Sequence, residues 1–297
     1  MAEAALIAAE VPSAQTRMAR PSRFGDKAFE WLTLAMALTV VLLIILTGWQ
    51  LWSGSTLAIK KFGFHFVTTS TWDPVGEQFG ALPFIYGTLV SSLLALLIAV
   101  PLGIATAAYL TELAPLWIRQ PLTSLIEMLA AIPSVILGLW GIFVMIPWLR
   151  DYPVPWLKRV LGWTPFFSGT MYGPSMLAGG IIIAIMILPI ITSVSREILR
   201  SVPNLQREAA YALGATRWEA TRIAVLSYAK KGLFGAVILG LGRALGETMA
   251  VTMVIGNTPQ IALSLFKPGY TLASVLANEF TEATTDMYLQ ALFEIGL

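Results

Sequence analysis

Long apolar stretches separated by short polar segments are the dominant pattern of this chain. A helix that crosses a bilayer needs about 20 mostly apolar residues, and five stretches meet that requirement. A sixth apolar stretch begins near Tyr288, but the ten residues to Leu297 are too few to cross a bilayer. We expect either a sixth span that the sequence truncates, which we favour, or a re-entrant end. The pattern predicts an all-α integral membrane protein with about six transmembrane helices. The five predicted spans are Trp31–Trp52, Phe84–Leu110, Leu122–Trp148, Pro174–Val194 and Leu233–Gly256.

Composition supports this interpretation and removes several functional classes. Of the 297 residues, 57% are hydrophobic and 12% are charged, whereas soluble domains carry about 25% charged residues. The chain has no cysteine and one histidine, His65, which excludes disulfides and iron–sulfur clusters and disfavours a metal site. His65 lies in a Phe-rich external segment that we expect to be extended. No Gly-x-x-x-x-Gly-Lys-Ser/Thr sequence is present, so we do not expect the chain itself to bind ATP.

The distribution of basic residues orients the predicted spans. Cytosolic loops of membrane proteins carry an excess of Lys and Arg. With a cytosolic N-terminus, twelve of the 19 basic residues fall in cytosolic segments, six are external and one, Arg243, lies within a span. We therefore predict a cytosolic tail over residues 1–29, a first transmembrane helix with an external loop over 30–83, and a core over 84–297. The core includes a long cytosolic loop at 196–231.

This cytosolic loop is predicted to form two short helices joined by a tight turn. Pro203 suits the first turn of a helix, and Gly214 suits the left-handed position that ends it. Thr216 with Glu219 has the spacing of a capping box that starts the second helix. Three interpretations are open. The loop is a DNA-binding helix-turn-helix, for which the tether between two spans leaves little room, or a structural connector, or a helix that docks in a groove of a cytosolic partner.

One segment of the loop resembles the EAA motif of ABC importer permeases. The motif positions are occupied by Glu208, Ala209, Ala210 and Gly214. In that family the motif continues with Ile-x-Leu-Pro, and this chain has Ala-Val-Leu-Ser at 224–227, so only the leucine matches. The departure concerns how the second helix of the loop ends. The resemblance implies that the first helix couples the chain to an ATP-hydrolysing subunit.

An ionisable pair lies within the fifth predicted span. Arg243 is near the midpoint of Leu233–Gly256, and Glu247 follows one turn later on the same helical face. A charge at that depth costs at least ~2.5 kcal/mol. The pair is either a buried ion pair that fixes helix register or holds a partner subunit, or part of a transport site. In a transport site Arg243 would attract an anion, while Glu247 would orient the arginine and limit how tightly the anion is held.

Other residues within the spans add candidates for packing and for the pathway. Ser134 either donates to a passing anion or bonds the preceding helical turn. Small residues at Gly232, Ala236 and Gly240 share one helical face and would let another helix approach closely. Prolines within predicted spans are expected to kink them. These prolines are Pro101, Pro133 and Pro189.

Three longer segments are similar to the PstC-type permeases of phosphate-specific ABC importers, which have the type I importer fold of the MetI-like superfamily. They are Phe84–Ser92, Leu129–Val135 and Gly242–Val251. The resemblance implies an ATP-driven importer of inorganic phosphate that works by alternating access in the bacterial cytoplasmic membrane. It also implies a sibling PstA-type permease, a PstB-type ATPase dimer that carries ATP and Mg, and an extracytoplasmic PstS-type phosphate-binding protein. No cofactor is expected on this chain.

Residue chemistry alone reaches only a pathway for an anion. A permease for molybdate or sulfate would differ from this interpretation only in its substrate. An ion-coupled secondary transporter would need no ATPase and would take up its substrate under an ion gradient. A membrane enzyme is disfavoured, because no nucleophile, base or metal cluster accompanies Arg243 and Glu247 in the sequence.

Overall fold

The computed structural model of the chain describes residues 23–297, and these are mostly helical. Within the described residues, five helices are long and apolar enough to cross a membrane. This confirms the predicted all-α membrane fold. Residues 1–22, which make up most of the predicted cytosolic tail, lie outside the described residues. The five helices cover Gly25–Gly54, Leu82–Leu113, Ser134–Asp151, Met176–Arg200 and Arg217–Leu245.

The structure divides into two units, of which the first ends at Gln50. Its helix, α1, covers Arg23–Gly54 and continues four residues past that boundary. The apolar side chains of α1 are exposed around its circumference: Val40, Ile44 and Trp49 are 58%, 67% and 71% exposed. A helix that is apolar on every side needs apolar surroundings. The pattern therefore fits contact with lipid.

In the second unit, Leu51–Leu297, two short helices and a β-hairpin follow the last turn of α1. The expectation of an extended segment around His65 is wrong, because this segment forms helical turns. Phe62 at the end of α2 and Phe66 in α3 pack against each other across the turn at Gly63, with ring centroids 6.3 Å apart. The elements are α2 (Thr56–Phe62), α3 (His65–Thr68), β1 (Trp72–Asp73) and β2 (Gln78–Phe79), with the two strands antiparallel.

Six helices follow the hairpin, and a break separates two of them. The prediction of one continuous span over Leu122–Trp148 is wrong, because α5 ends at Ala130 and α6 begins only at Ser134. Pro133 explains the break: it has no N–H to donate and disfavours helix at the residue before it. π-helical turns at Tyr109–Leu113 and Gly141–Met145 extend α4 and join α6 to α7. The helices are α4 (Leu82–Ala108), α5 (Leu116–Ala130), α6 (Ser134–Trp140), α7 (Ile146–Asp151), α8 (Pro153–Leu161) and α9 (Met176–Arg200).

The remaining helices contain a second break. The prediction of one span over Leu233–Gly256 is wrong, since α12 ends at Leu245 and α13 begins at Met249. A π-helical segment at Thr221–Leu226 joins α11 to α12. The last helix, α15, is the one predicted to begin near Tyr288. The helices are α10 (Asn204–Ala212), α11 (Arg217–Ala220), α12 (Ser227–Leu245), α13 (Met249–Ile255), α14 (Leu272–Glu279) and α15 (Asp286–Gly296).

The core of the second unit lies along α9, which packs against α4, α12 and α13. Glycines allow the close approach of α12: a Cβ added at Gly240 would lie 2.8 Å from Ile191, and one at Gly232 would lie 2.7 Å from Ile198. The small-residue face of α12 therefore packs against a helix of the same chain. On the opposite face of α12, a Cβ at Gly242 would meet nothing within 4 Å among the described residues.

Candidate functional site

Arg243 and Glu247 form an ion pair where α12 ends. Arg243 Nη1 donates to Glu247 Oε2. The prediction that the two residues share one helical face is wrong, because α12 ends at Leu245 and Glu247 lies in the break before α13. Gly246 is the residue that caps α12. The structure thus brings the predicted pair together at a helix break.

The two members of this pair differ in how fully they are engaged. The side chain of Glu247 is 4% exposed and that of Arg243 is 41% exposed. The second carboxylate oxygen of Glu247 accepts from the Ala250 N–H at 3.3 Å, which satisfies a backbone donor in the first turn of α13. A guanidinium has five N–H donors, and within the described residues only Nη1 of Arg243 has an acceptor. The arginine therefore retains donors for a ligand.

The pair lies level with the middle of α9. Gly240 packs against Ile191, and Ala244 is buried in the same cluster as Ile187 and Ile191. Both isoleucines are near the centre of α9, itself one of the membrane-crossing candidates. Irregular backbone at membrane depth is tolerated only where protein buries it or a water-filled cavity contacts it.

The two helix breaks lie side by side. A Cβ at Gly138 would meet Ala250 and Met253, and one at Gly141 would meet Val254, so α6 and α13 run parallel in contact. The contact at Gly138 comes four residues after α6 begins, and Ala250 follows Glu247 by three. Since α13 begins at Met249, Ala250 and Met253 are one and four residues after its start. Both helices therefore start within about one turn of the same contact. The breaks at 131–133 and 246–248 form one discontinuous layer.

Ser134 is the first residue of α6 and is half-buried at this layer. A bond from its hydroxyl to a preceding helical turn is not formed, because the break at 131–133 leaves no such turn. No described residue accepts from or donates to this hydroxyl. Ser134 is therefore available to a ligand in the discontinuous layer.

The predicted coupling motif lies on α10 and the turn after it. Glu208 and Ala209 are exposed and Ala210 is half-buried. Gly214 has φ +82°, which confirms the left-handed turn, and a Cβ at that position would meet nothing within 4 Å. Leu213 is 90% exposed and borders an open cavity of about 340 Å³. The motif thus presents an uncovered, partly apolar surface.

Three helix boundaries of the cytosolic loop bear on the sequence predictions. The capping box is confirmed: the Thr216 N–H donates to the Glu219 carboxylate at 2.8 Å, and the Glu219 N–H donates to the Thr216 hydroxyl at 3.4 Å. Pro203 precedes α10 instead of occupying its first turn. The second helix does not end at the position of the missing motif proline, because Ser227 continues the helix from Arg217 to Leu245.

Arg207, which sequence reasoning missed, anchors α10 to the end of α4. Its guanidinium forms a fork on Glu112, with Nη2–Oε1 and Nε–Oε2 distances of 2.7 and 3.1 Å. Further N–H groups donate to the carbonyls of Val202 and Leu199 at 2.6 and 3.0 Å. The hydrogen bonds to Glu112 raise the pKa of Arg207 above its ordinary value. No local signal predicts this pair, since 95 residues separate its members.

Comparison with known proteins places the chain in a family. Residues 99–278 match the family described as "Binding-protein-dependent transport system inner membrane component". Over 291 residues the chain is 45% identical to the phosphate transport system permease protein PstC of Mesorhizobium japonicum, covering 97% of this chain and 89% of that protein. The PstC of Haemophilus influenzae is 46% identical over 276 residues, which is 92% of this chain and 87% of that protein. The chain belongs to the PstC-type permeases of this family.

Membership establishes the general role of the chain. It is a multi-span permease subunit of an ABC transporter, and such a subunit works in a complex with others. A chain of the MetNI methionine ABC transporter, solved in an inward-facing conformation, aligns with 73% of this chain and 85% of its own length, at 19% identity and a TM-score of 0.49. Arg243, Glu247 and the α10 motif all lie within the matched residues 99–278.

Proposed function

We propose that this chain is the PstC-type permease subunit of an ATP-driven importer of inorganic phosphate in the bacterial cytoplasmic membrane, with its N-terminus in the cytosol. The observation that carries the proposal is the half-exposed guanidinium of Arg243 beside the buried, doubly bonded carboxylate of Glu247, in a layer where two membrane helices are interrupted. The names of the relatives supply the substrate.

Phosphate would be bound by the donors of Arg243 that the protein leaves free. A guanidinium matches two oxygens of an oxyanion and stays charged at any physiological pH. Glu247 places a negative charge beside the same group and so weakens the attraction for the anion, which a transport site requires for release. Ser134, at the start of α6, would add a hydroxyl donor from the adjacent break.

The complex would contain one more permease, a PstA-type sibling, on the uncovered face of α12. Gly242 and Gly235 have no described neighbour where a Cβ would lie, and Leu239 on the same face is 58% exposed. Small residues at a helix surface allow a second helix to approach closely. The sibling would then close the pathway in front of Arg243, and alternating access would follow from movement of the two permeases.

ATP and Mg would be bound by a PstB-type ATPase dimer, with neither catalysis nor a cofactor on this chain. Its groove would receive α10 through Glu208, Ala209, Ala210 and the Gly214 turn, whose surface is uncovered. A helix that seats apolar residues in a groove is a common mode of recognition. An extracytoplasmic PstS-type protein would deliver phosphate at the other end of the permease.

The pathway role of Arg243 can be tested by uptake of radiolabelled phosphate in proteoliposomes that contain the full complex. Arg243→Ala should abolish uptake, but it also leaves the Glu247 carboxylate buried without its partner. The double variant Arg243→Ala with Glu247→Gln removes that unpaired charge. If the guanidinium receives the anion, the double variant stays inactive; recovery of uptake would assign the pair a purely structural role.

Matched controls decide between this proposal and its alternatives. Arg150→Ala removes another arginine with a neighbouring carboxylate, Asp151, at 2.8 Å, and should retain wild-type uptake. Competition by molybdate or sulfate that exceeds competition by unlabelled phosphate would identify a different oxyanion permease. Uptake by the chain alone under an ion gradient, without ATP, would identify a secondary transporter.

The coupling role can be tested separately on α10. Glu208→Gln and Gly214→Val should uncouple ATP hydrolysis from uptake or prevent assembly with the ATPase, as measured by co-purification and by phosphate moved per ATP. Glu282→Gln is the matched control, since this exposed glutamate lies in the segment between α14 and α15. An intact complex with wild-type coupling in both α10 variants would contradict this assignment.

A further inference from the structure

A basic cavity of about 480 Å³ lies between α5 and the last turns of α9, near the end of α9 that leads into α10. Five of its six lining residues are polar and three are arginines, and no carboxylate lines it. Cavities of this size are typical of small-ligand sites. The lining residues are Leu116, Arg119, Gln120, Thr123, Arg196 and Arg200.

Two of these arginines are only partly engaged by the protein. Arg119 Nη2 donates to the carbonyls of Thr111 and Ala114 at 3.1 and 3.4 Å. Arg196 donates to the Thr123 hydroxyl through Nη1 and to Glu127 through Nη2, the latter at 3.3 Å. The Nε–H of each arginine is buried and has no partner among the described residues. A buried donor on a charged group is costly unless an acceptor satisfies it.

The carboxylates that face these arginines do not neutralise the cavity. Glu127 and Glu197 are at its border, with side chains 58% and 67% exposed. Glu197 is 3.5 Å from Arg200 and 4.0 Å from Arg196, and water screens such exposed pairs. Three guanidinium groups against two exposed carboxylates leave positive charge in excess. A group with several acceptor oxygens and negative charge, such as a phosphate, matches this set of donors.

Helix α5, which contributes to the cavity wall, also carries exposed apolar side chains. Leu116 and Trp117 are 80% and 77% exposed at the start of α5, and Leu125 and Met128 on the same helix are 60% and 67% exposed. Tryptophan beside apolar side chains is typical of the membrane–water interface. Basic pockets between membrane helices on the cytoplasmic side bind the head groups of anionic lipids.

We propose that this cavity is a binding site for a phosphate group at the cytosolic surface of the membrane, separate from the site at Arg243. The phosphate group belongs either to an anionic phospholipid or to free inorganic phosphate. The inference rests on the proposed function only in naming this end of the chain cytosolic. Arg196 and Arg200 hold the group from α9, and Arg119 holds it from α5.

Two substitutions test the site with little risk to the fold. Arg200→Gln removes a side chain that is 46% exposed and whose described ion pair is with Glu197. Gln120→Glu adds a carboxylate to the cavity wall at an exposed position. Arg222→Gln, an exposed arginine on the segment after α11 and outside the cavity lining, is the matched control. All variants should retain the thermal stability of the wild-type complex.

Two probes distinguish the sources of the phosphate group. The complete transporter is placed in nanodiscs of phosphatidylcholine with cardiolipin, and the retained cardiolipin is counted by native mass spectrometry. In parallel, inorganic phosphate is titrated calorimetrically into the detergent-purified membrane complex that lacks the extracytoplasmic binding protein and carries Arg243→Ala, so that neither of those phosphate sites contributes. Loss of one charge-assisted contact should weaken binding about tenfold.

Each outcome decides the proposal. If both cavity variants lose cardiolipin and Arg222→Gln does not, the group comes from lipid. If they instead weaken the binding of inorganic phosphate in the Arg243→Ala background, the site takes free phosphate. If both probes bind the cavity variants as they bind the Arg222→Gln control, the proposal is wrong. None of these outcomes depends on uptake, so a failed pathway role for Arg243 would be recognised separately.

Discussion

Arg207 with Glu112 and Arg243 with Glu247 are the same chemical pair in two different settings. The first pair joins residues 95 positions apart, whereas the second joins residues four apart. The side chains of Arg207 and Glu112 are 16% and 9% exposed. In the second pair the glutamate is 4% exposed but the arginine is 41% exposed. We call the first pair closed, because both side chains are largely buried, and the second pair open, because its arginine is exposed.

The two arginines also differ in how many of their nitrogens donate hydrogen bonds within the protein. All three nitrogens of Arg207 donate within the protein, to Glu112 and to backbone carbonyls. Arg243 uses Nη1 alone among the described residues. A saturated guanidinium fixes the position of α10 against α4 and has little capacity for a ligand. A guanidinium held at one nitrogen can bind an anion with the others.

The largest effect on stability is expected from breaking the closed pair. Arg207→Ala should lower the free energy of unfolding of the chain by about 3 kcal/mol, because it leaves Glu112 buried without its partner. Thermal unfolding of the purified complex measures this. The double variant with Glu112→Ala should lose less than the sum of the two single variants. Strict additivity would show that the two side chains do not stabilise each other.

Lysine substitutions sharpen the comparison. Arg207→Lys should cost about 1–2 kcal/mol of stability, since an ammonium cannot form the fork on Glu112 and reach the carbonyls as well. Arg243→Lys should change stability by less than about 1 kcal/mol but reduce phosphate uptake about tenfold, because one ammonium cannot hold Glu247 and present a fork to the anion. Equal losses of stability at both positions would remove the distinction between closed and open pairs.

Glu247→Gln tests whether the carboxylate restrains the anion. The amide oxygen can still accept from the Ala250 N–H, so stability should fall by less than about 1 kcal/mol. The concentration of phosphate that half-saturates uptake should fall several-fold, and the maximal rate should fall with it, because the anion leaves more slowly. A higher half-saturating concentration in the variant would contradict the proposed restraint.

The smallest expected effect concerns a peripheral contact of the closed pair. Asn204 accepts from Arg207 Nη1 at 3.3 Å and is exposed. Asn204→Ala should change the free energy of unfolding by only about 0.3 kcal/mol, since water replaces the amide oxygen. A loss as large as that of Arg207→Ala would mean that the anchor of α10 is distributed over several contacts instead of depending on Glu112.

Local rules predicted the features that depend on neighbouring residues. Hydrophobicity predicts the membrane helices, because the main requirement for such a helix is a sufficiently long apolar stretch. Thr216 with Glu219 and the left-handed Gly214 follow from end signals that lie within three or four residues. Arg243 and Glu247 are close in space because they are four residues apart, and the break between them did not separate them.

Features set by tertiary packing were not predicted. Pro101 and Pro189 lie inside continuous helices, whereas Pro133 ends a break, and composition does not distinguish the three. Gly246 has the same spacing from Gly242 that marks a packing face, yet it caps a helix. Arg207 contacts Glu112 only because α10 folds back on α4, and such a long-range contact leaves no periodic signal in the sequence.

The helical stretch from Arg217 to Leu245, which includes the π-helical segment at Thr221–Leu226, has the length to act mechanically as a lever. The family motif has a proline where this chain has Ser227. A proline there would have kinked the helix near its cytosolic end. Without it, about 39 Å of helix connects the capped turn at Thr216 to Arg243. A tilt of about 3° at one end sweeps the other by about 2 Å over that length. Displacements of that size change whether a hydrogen bond can form. Under the proposed function, a movement imposed at the cytosolic end of this helix would therefore change the position of Arg243 relative to a bound anion.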